Sequence, residues 1–310
     1  MKWAIAGLGY MGKKFLHDTK RLNDVIVTAV ASQQEPIQTG EEFKFYKSYS
    51  EMFFEPNFDA VYIATTPNKH YNLLKMCLNA RVPVLCEKPI FFSKSEIDDF
   101  KNISIQSFVA ENISFLFDKQ IIELIGAINQ GLFGEISEIG IFLQRKLNSD
   151  ARSRIMNRYL SKGALQDFGI YGIHFLTSIF MHLIVINQKI EYEFENDFSG
   201  EITFLANNSI NCKLIYSIDD DLQNSILISG SLARIEILDF LTPYQSIYIR
   251  GNSPKILTLT KEDNYFSNLT RSVAHISKEI SENLPQSNFV PLNNTIRTAD
   301  LIVEILGMGK

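Results

Sequence analysis

The chain has little cysteine, a single tryptophan and only a small excess of negative charge. Its three cysteines, Cys77, Cys86 and Cys212, form no CxxC pair and no metal-ligand spacing. That excludes a disulfide framework and a cysteine-based metal site, and it suits a reducing, cytoplasmic compartment. The formal net charge of −5 offers nothing to nucleic acid or to an anionic membrane surface. The longest apolar stretch, FLTSIFMHLIVI at 175–186, is too short to cross a bilayer and contains His182; it is expected as a buried helix. No apolar h-region or cleavage site precedes the first strand, so no signal peptide is expected. Internal repeats and low-complexity tracts are absent.

What is present is ordinary for a globular enzyme: 310 residues, 45% hydrophobic and 21% charged. This is enough for two domains with separate cores. Up to about residue 112, strands and helices alternate. KWAIAGLG, VIVTAVAS, FDAVYIAT, PVLCE and IQSFVAEN read as strands. Between them lie amphipathic helices, one opened by a Ser93/Glu96 capping box. Such alternation predicts a parallel sheet with right-handed crossovers. Beyond 113 the pattern is a few helices and then a run of strands over 188–260, which predicts an antiparallel sheet. The expected fold is therefore α/β. A dinucleotide-binding domain spans 1–112 and an α+β domain with a large open sheet spans 113–292. A final helix at 293–307 is expected to pack back on the first domain.

The first strand runs into GLGYMG, with Gly7, Gly9 and Gly12 in G-x-G-x-x-G spacing. The motif follows a strand and opens a helix, the context it needs. There, free N–H groups at the helix N-terminus meet a pyrophosphate. The second strand ends with Ser32 and Gln33, where an NAD site usually has an acid. No carboxylate there would repel a 2′-phosphate, so NADP(H) is favoured over NAD(H).

Two further stretches carry chemistry. LCEKPIFF puts Glu87, Lys88 and Pro89 at the exit of an apolar strand, where open α/β sheets hold their ligands. KGALQDFGIYGIHF places Asp167, Tyr171 and His174 at i, i+4 and i+7, one face of a helix. An acid, a phenol and an imidazole on one apolar helix are costly to bury unless they pair or work.

GLGYMG, ATTPNKHY, CEKP and GALQDFGIY together, in order and spacing, resemble the glucose–fructose oxidoreductase/inositol dehydrogenase (Gfo/Idh/MocA) family over nearly the whole chain. Tyr171 in place of a histidine resembles the dihydrodiol dehydrogenase-like branch. The resemblance implies a Rossmann domain, an α/β domain with a large open sheet, and NAD(P)-linked hydride transfer at a carbinol or carbonyl. The substrate it implies is a sugar, a sugar derivative such as a sugar nucleotide or sugar acid, or a polyol. It implies catalytic roles for Lys88, Asp167 and Tyr171. Cofactor contacts are implied from Gly7, Leu8, Gly9, Tyr10, Met11, Gly12, Ser32, Gln33, Thr65, Thr66, Pro67, His70, Glu87, Lys88, Pro89 and Asn112. Substrate contacts are implied from Lys88, Arg158, Asp167, Tyr171 and His174. A phenol titrating near ~10 becomes a usable acid/base beside an ammonium, which is the role open to Lys88. Glu87 is expected to orient Lys88 or its backbone. The rival readings are a non-catalytic NADP-sensing regulator of the same fold and a reductase of a non-sugar substrate. SKG before the aspartate motif, where the family has more glycine, is a departure.

Residues 144–162 carry Arg145, Lys146, Arg152, Arg154, Arg158 and Lys162 against the single acid Asp150. They read either as a solvated loop or as a site for a phosphate or carboxylate. The alternating strands of 188–260 suggest a sheet with helices on one face only. Ile202, Phe204, Leu214 and Tyr216 are candidates for the open face of a homodimer or dimer of dimers. No metal is expected.

Overall fold

The computed structural model describes residues 1–33, 43–54, 56–241, 245–250, 253–258 and 267–307. The chain divides into two units: Met1–Ser114 with Phe266–Thr295, and Phe115–Tyr265 with Ile296–Lys310. No helix among the described residues is long and apolar enough to cross a membrane.

In the first unit the order is β1 (Lys2–Ala6), α1 (Tyr10–Asp18), β2 (Ile26–Ala31), β3 (Lys44–Tyr46), α2 (Tyr49–Met52) and β4 (Ala60–Ile63). Then come α3 (Pro67–Asn79), β5 (Val84–Glu87), α4 (Lys94–Lys101) and β6 (Val109–Asn112). All strand pairs are parallel, in the order β3-β2-β1-β4-β5-β6. This is the doubly wound Rossmann order, and its direction reverses between β1 and β4. β4 and β5 are buried throughout, as parallel strands covered on both faces should be. The Ser93 cap of α4 forms as read: its hydroxyl accepts the Glu96 N–H, and the Glu96 carboxylate takes the Phe92 N–H. The short edge strand β3 was not legible in the sequence, having too few residues to show a period.

The second unit contains α5 (Lys119–Asn129), β7 (Ile136–Gln144), α6 (Ser149–Ile155), a π-helical segment (Leu165–Gly169) and α7 (Ile170–Ile179). After α7 the chain forms β8 (Leu183–Glu193), β9 (Asn196–Ala206), β10 (Ile210–Ser217), β11 (Ser225–Gly230), β12 (Ala233–Leu238), β13 (Gln245–Arg250) and β14 (Ser253–Thr258). With β7 they make one sheet, β14-β13-β12-β11-β7-β10-β9-β8, antiparallel except for the β7–β10 pair.

Three expectations are corrected here. The stretch 175–186 is not one helix: α7 stops at Ile179 and the apolar run from Leu183 to Ile186 belongs to β8. A short apolar run has no period long enough to separate the two cases. Ile202, Phe204, Leu214 and Tyr216 are fully buried, because their face of the sheet carries α7. There Gly172 packs on Leu214 and Gly169 on the Tyr216 ring. Strand alternation turns Phe142, Ile215 and Leu227 to the other face. The last helix also departs from its expected place. Of α8 (Asn268–Ser281) and α9 (Leu292–Leu306), it is α8 that returns to the first unit, where Trp3 Nε1 donates to Ser277 Oγ at 3.1 Å. The C-terminal part of α9 clusters with the second unit through Thr298–Thr177, Arg297–Phe180 O and Gln188–Ile305 O hydrogen bonds. The sequence also shows a helical pattern over 264–283, which α8 matches from Asn268; residues 264–266 lie outside the described residues.

Candidate active site

In the first unit the glycine turn sits at the β1/β4 crevice. Gly7 has φ +103, and its N–H reaches Ala31 O at 2.8 Å. A Cβ there would lie 2.7 Å from Ala64 O, so the turn tolerates no side chain. At Gly12 a Cβ would lie 2.0 Å from Gly7 O, which fixes how closely α1 approaches β1. Gly9 is the N-cap of α1. It has no side-chain cap, and nothing lies within 4 Å of where its Cβ would point. The helix N-terminus therefore faces open space with unsatisfied N–H groups, as a pyrophosphate cradle requires. Leu8 is buried beneath this turn and Tyr10 stands exposed at its rim; Met11 is half-buried. The residues fit a dinucleotide.

The neighbouring loops are tied together. Thr66 stands at the N-cap position of α3 without a side-chain cap and Pro67 is the helix's first residue, with Thr66 Oγ1 donating to Asn68 Oδ1 at 2.7 Å. The His70 ring is buried between Pro89 O at 2.8 Å and Thr65 O at 3.0 Å. It thus links the loop after β4 to the loop after β5. Burial lowers its pKa, against the pull of the two carbonyls. Lys88 and Pro89 follow β5 with a cis peptide bond between them, and Lys88 is half-buried. At the end of β2, Ser32 is buried, its N–H on Tyr46 O at 3.0 Å, and Gln33 is exposed. Residues 34–42, which would complete a 2′-phosphate site, lie outside the described residues.

Glu87 does not turn toward solvent. It is 8% exposed, and its Oε1 accepts the Tyr62 hydroxyl at 2.5 Å and the Asn112 amide at 2.6 Å. Asn112 Oδ1 in turn accepts from Ser272 Oγ of α8 at 2.9 Å. Both ends of the Asn112 amide are engaged by the protein, so this side chain braces the sheet edge. Burial raises the Glu87 pKa; the Tyr62 and Asn112 hydrogen bonds act against the shift. Sequence reasoning missed Tyr62 and Ser272. The first looks like any residue of a buried strand, and the second lies 160 residues from its partner.

In the second unit Asp167 lies in the π-helical segment and Tyr171 in α7. The i, i+4, i+7 spacing therefore does not run along one uninterrupted α-helix: Asp167 precedes α7, and only Tyr171 and His174 lie within it. A π segment inserts an extra residue into the turn and re-aims the side chains after it. Asp167 and Tyr171 are half-buried, whereas His174 is 1% exposed. The Tyr171 ring is held edge-on by Phe115 (5.9 Å between centroids) and Phe168 (6.4 Å).

Part of the basic stretch is paired with carboxylates within the chain. Arg152 binds Asp219 (2.7 Å) and Glu193 (2.5 Å), and those hydrogen bonds raise its pKa. Arg158 pairs with Glu195 and lies over the Tyr159 ring. Part of the stretch expected as loop is α6, capped by Asn148. Arg154 Nη2 stands 3.9 Å from Asp167 Oδ1. Among the described residues no group of three or more His, Cys, Asp or Glu is placed to hold a metal.

Comparison with known proteins bears on the family and the fold. Residues 1–107 match the oxidoreductase family with an NAD-binding Rossmann fold. The chain is 25% identical to the trans-1,2-dihydrobenzene-1,2-diol dehydrogenase of Mus musculus, covering 98% of this chain and 95% of the relative. It is 23% identical to the Homo sapiens enzyme of that name, covering 98% and 96%. Among solved structures, a 3-ketoreductase from Actinomadura kijaniata in complex with NADP and TDP-benzene superposes with a TM-score of 0.85 at 17% identity, covering 98% and 96%. An aldose-aldose oxidoreductase from Caulobacter crescentus gives 0.84 at 17% identity, covering 99% and 97%. The structural likenesses establish the fold.

Proposed function

We propose that this chain is an NAD(P)-dependent oxidoreductase of the Gfo/Idh/MocA family, in its dihydrodiol dehydrogenase-like branch, and that it acts on a CH–OH group; the family match of residues 1–107 and the dehydrogenase relatives support this. The substrate is a cyclic vicinal diol or the matching hydroxy-carbonyl, of the sugar or dihydrodiol class. When bound, the nicotinamide supplies or accepts the hydride. The rest falls to the chain's own residues. The glycine turn and the α1 N-terminus hold the pyrophosphate, and the loop at Thr65–Pro67 lines the same crevice. Tyr171 moves the hydroxyl proton at its phenolic oxygen. The Lys88 ammonium favours the phenolate and steadies the reacting oxygen. Asp167 grips the second hydroxyl.

The observation that carries this reading is the sheet edge. The glycine turn opens at the β1/β4 crevice, and Lys88 leaves the C-terminal end of β5, one strand further along. Tyr171 supports it, since its ring is fixed by two aromatic edges while the residue stays half-exposed. Ser32 in place of an acid supports NADP(H) over NAD(H). The Actinomadura kijaniata ketoreductase, which carries NADP, points the same way. Arg154 is more loosely paired, 3.9 Å from Asp167, than Arg152 and Arg158 are with their carboxylates, and so favours a substrate with an anionic substituent. The sheet face bearing Phe142, Ile215 and Leu227 supports a homodimer, which light scattering at micromolar concentration tests against a monomeric mass.

The test is twofold. Fluorescence titration should give a lower Kd for NADPH than for NADH. NADPH oxidation over keto-sugars, aldoses and sugar acids, and NADP reduction by trans-dihydrodiols, should reveal turnover. Tighter NADH binding refutes the cofactor assignment. Binding without turnover on the whole panel refutes the substrate class.

A further inference from the structure

The turn between β8 and β9, Glu193–Asp197, touches the segment that leads into the Asp167–Tyr171 site at four successive places. Glu193 holds Arg152 of α6 at 2.5 Å. Glu195 pairs with Arg158. Asn196 Nδ2 donates to Ile155 O, the end of α6, at 3.0 Å. Asp197 Oδ2 accepts the Leu165 N–H, the first residue of the π-helical segment, at 2.7 Å. Only Phe194 turns away, with φ +57 and 93% exposure. We infer that this turn is a clasp on residues 152–165, and that Asp197 is a positioning residue for Asp167 and Tyr171. The inference rests on the reading of those two as site residues.

Three features separate Asp197 from an incidental contact. It is 1% exposed, so a carboxylate has been taken out of water at the start of the site helix. Gly163 has φ +98, and a Cβ on it would lie 2.0 Å from Asp197 Oδ1; the backbone comes this close because no side chain is there. The single glycine that remains before the aspartate motif is therefore the one the clasp requires. Third, the arrangement opposes stability near neutral pH: burial pushes the Asp197 carboxyl up to about 6, against the Leu165 N–H and the neighbouring Tyr216 hydroxyl. A costly buried charge aimed at the backbone of a site is the pattern expected of a group that positions others. The titratable groups facing it are Tyr216 on β10 and Tyr192 on β8. From the 163–165 segment it meets the backbone N–H groups of Ala164 and Leu165.

The experiment compares wild type with Asp197→Ala, Asp197→Asn and Gly163→Ala. It measures amide hydrogen exchange over 155–171, NADPH Kd, and kcat and KM separately. Asp197→Ala and Gly163→Ala should speed exchange in this segment and lower kcat roughly tenfold to a hundredfold, the effect of a small misplacement. NADPH affinity should stay within about twofold, since the cradle lies in the other unit. Asp197→Asn keeps an acceptor for Leu165, so exchange should stay slow, while the change in protection near pH 6, after correction for base-catalysed intrinsic exchange, disappears. Unchanged exchange in both Asp197→Ala and Gly163→Ala overturns the clasp. Faster exchange with unchanged kcat overturns the positioning role. If Asp197→Ala does not fold, Gly163→Ala and Asp197→Asn decide alone. Should wild type bind NADPH and turn over nothing, the proposed reaction fails on its own, and the exchange measurements still decide the clasp.

Discussion

Glu87 in the first unit and Asp197 in the second are two buried carboxylates with raised pKa values. Each stands next to a residue proposed for catalysis or to the segment that carries it. They are held differently. Glu87 is gripped by side chains, the Tyr62 hydroxyl and the Asn112 amide. It adjoins Lys88 in sequence, so the rigidity passes through one peptide bond. Asp197 is gripped by backbone, the Leu165 N–H, and acts on a helix 32 residues away in sequence. The first kind of brace stiffens a strand end that the sheet has already fixed. The second has to hold a π-helical segment, whose hydrogen bonding is irregular and whose direction the sheet does not set.

The largest expected effect comes from removing what the two braces serve. Tyr171→Phe should lower turnover by roughly 10²–10⁴, the usual worth of a positioned acid/base, with little change in NADPH affinity. Lys88→Met should do likewise, and if the two act as a unit, as proposed, the double mutant should be scarcely worse than the worse single one. A Tyr171→Phe enzyme with more than about half the wild-type rate removes the tyrosine from that role, and the two braces would then have no common purpose.

Next in size is Glu87→Ala. It leaves the Tyr62 hydroxyl and the Asn112 amide without an acceptor in the core, at about 1–3 kcal/mol for each group. Urea denaturation should show the loss as a lower midpoint. A midpoint equal to wild type would mean the Tyr62–Glu87–Asn112 network adds nothing to stability, and the contrast with Asp197 would collapse.

The smallest effect sharpens the comparison. Asp197 has a folded pKa of about 6, above its unfolded value. Folding therefore takes up a proton in that window, and this contribution to stability is present below pH ~4 and lost as pH rises through about 6. Wild type should lose stability relative to Asp197→Asn between those limits. Glu87→Gln should show the same sign over its own window, because burial raises that pKa too. Thermal melts at pH 4, 5, 6 and 7 read the slope; an opposite slope for either residue means that its hydrogen bonds outweigh burial.

Much of the first unit was legible because its signals are local. Gly7 and Gly12 must be glycine because a side chain on either would strike backbone close in the chain or directly across β1 and β4. The apolar runs FDAVYIAT and PVLCE could only be buried strands once they alternated with amphipathic helices. EKP marks the end of β5 because a proline cannot extend a parallel ladder. The second unit was less legible, since its patterns have more than one solution. LIVI reads equally as helix or strand. Alternation along β9 and β10 shows two faces but not which one α7 will cover, and so Leu214 and Tyr216 were assigned to the wrong side. The spacing of Asp167, Tyr171 and His174 assumes 3.6 residues per turn, an assumption the π segment breaks.

The sequence alone determined the sheet type of each unit and the place of the glycine turn, and it supplied the residues proposed for the chemistry. These depend on backbone sterics and on the period of apolar residues, which act over a few positions. Only the tertiary structure decided that Glu87 points inward to Tyr62 and Asn112, that Arg152 and Arg158 have their carboxylates within the chain, and that Asp197 meets Leu165. Each of these joins residues far apart in sequence, and an ion pair or a buried hydrogen bond leaves no periodic mark. It exists because desolvated charge must find a partner wherever the folded backbone supplies one.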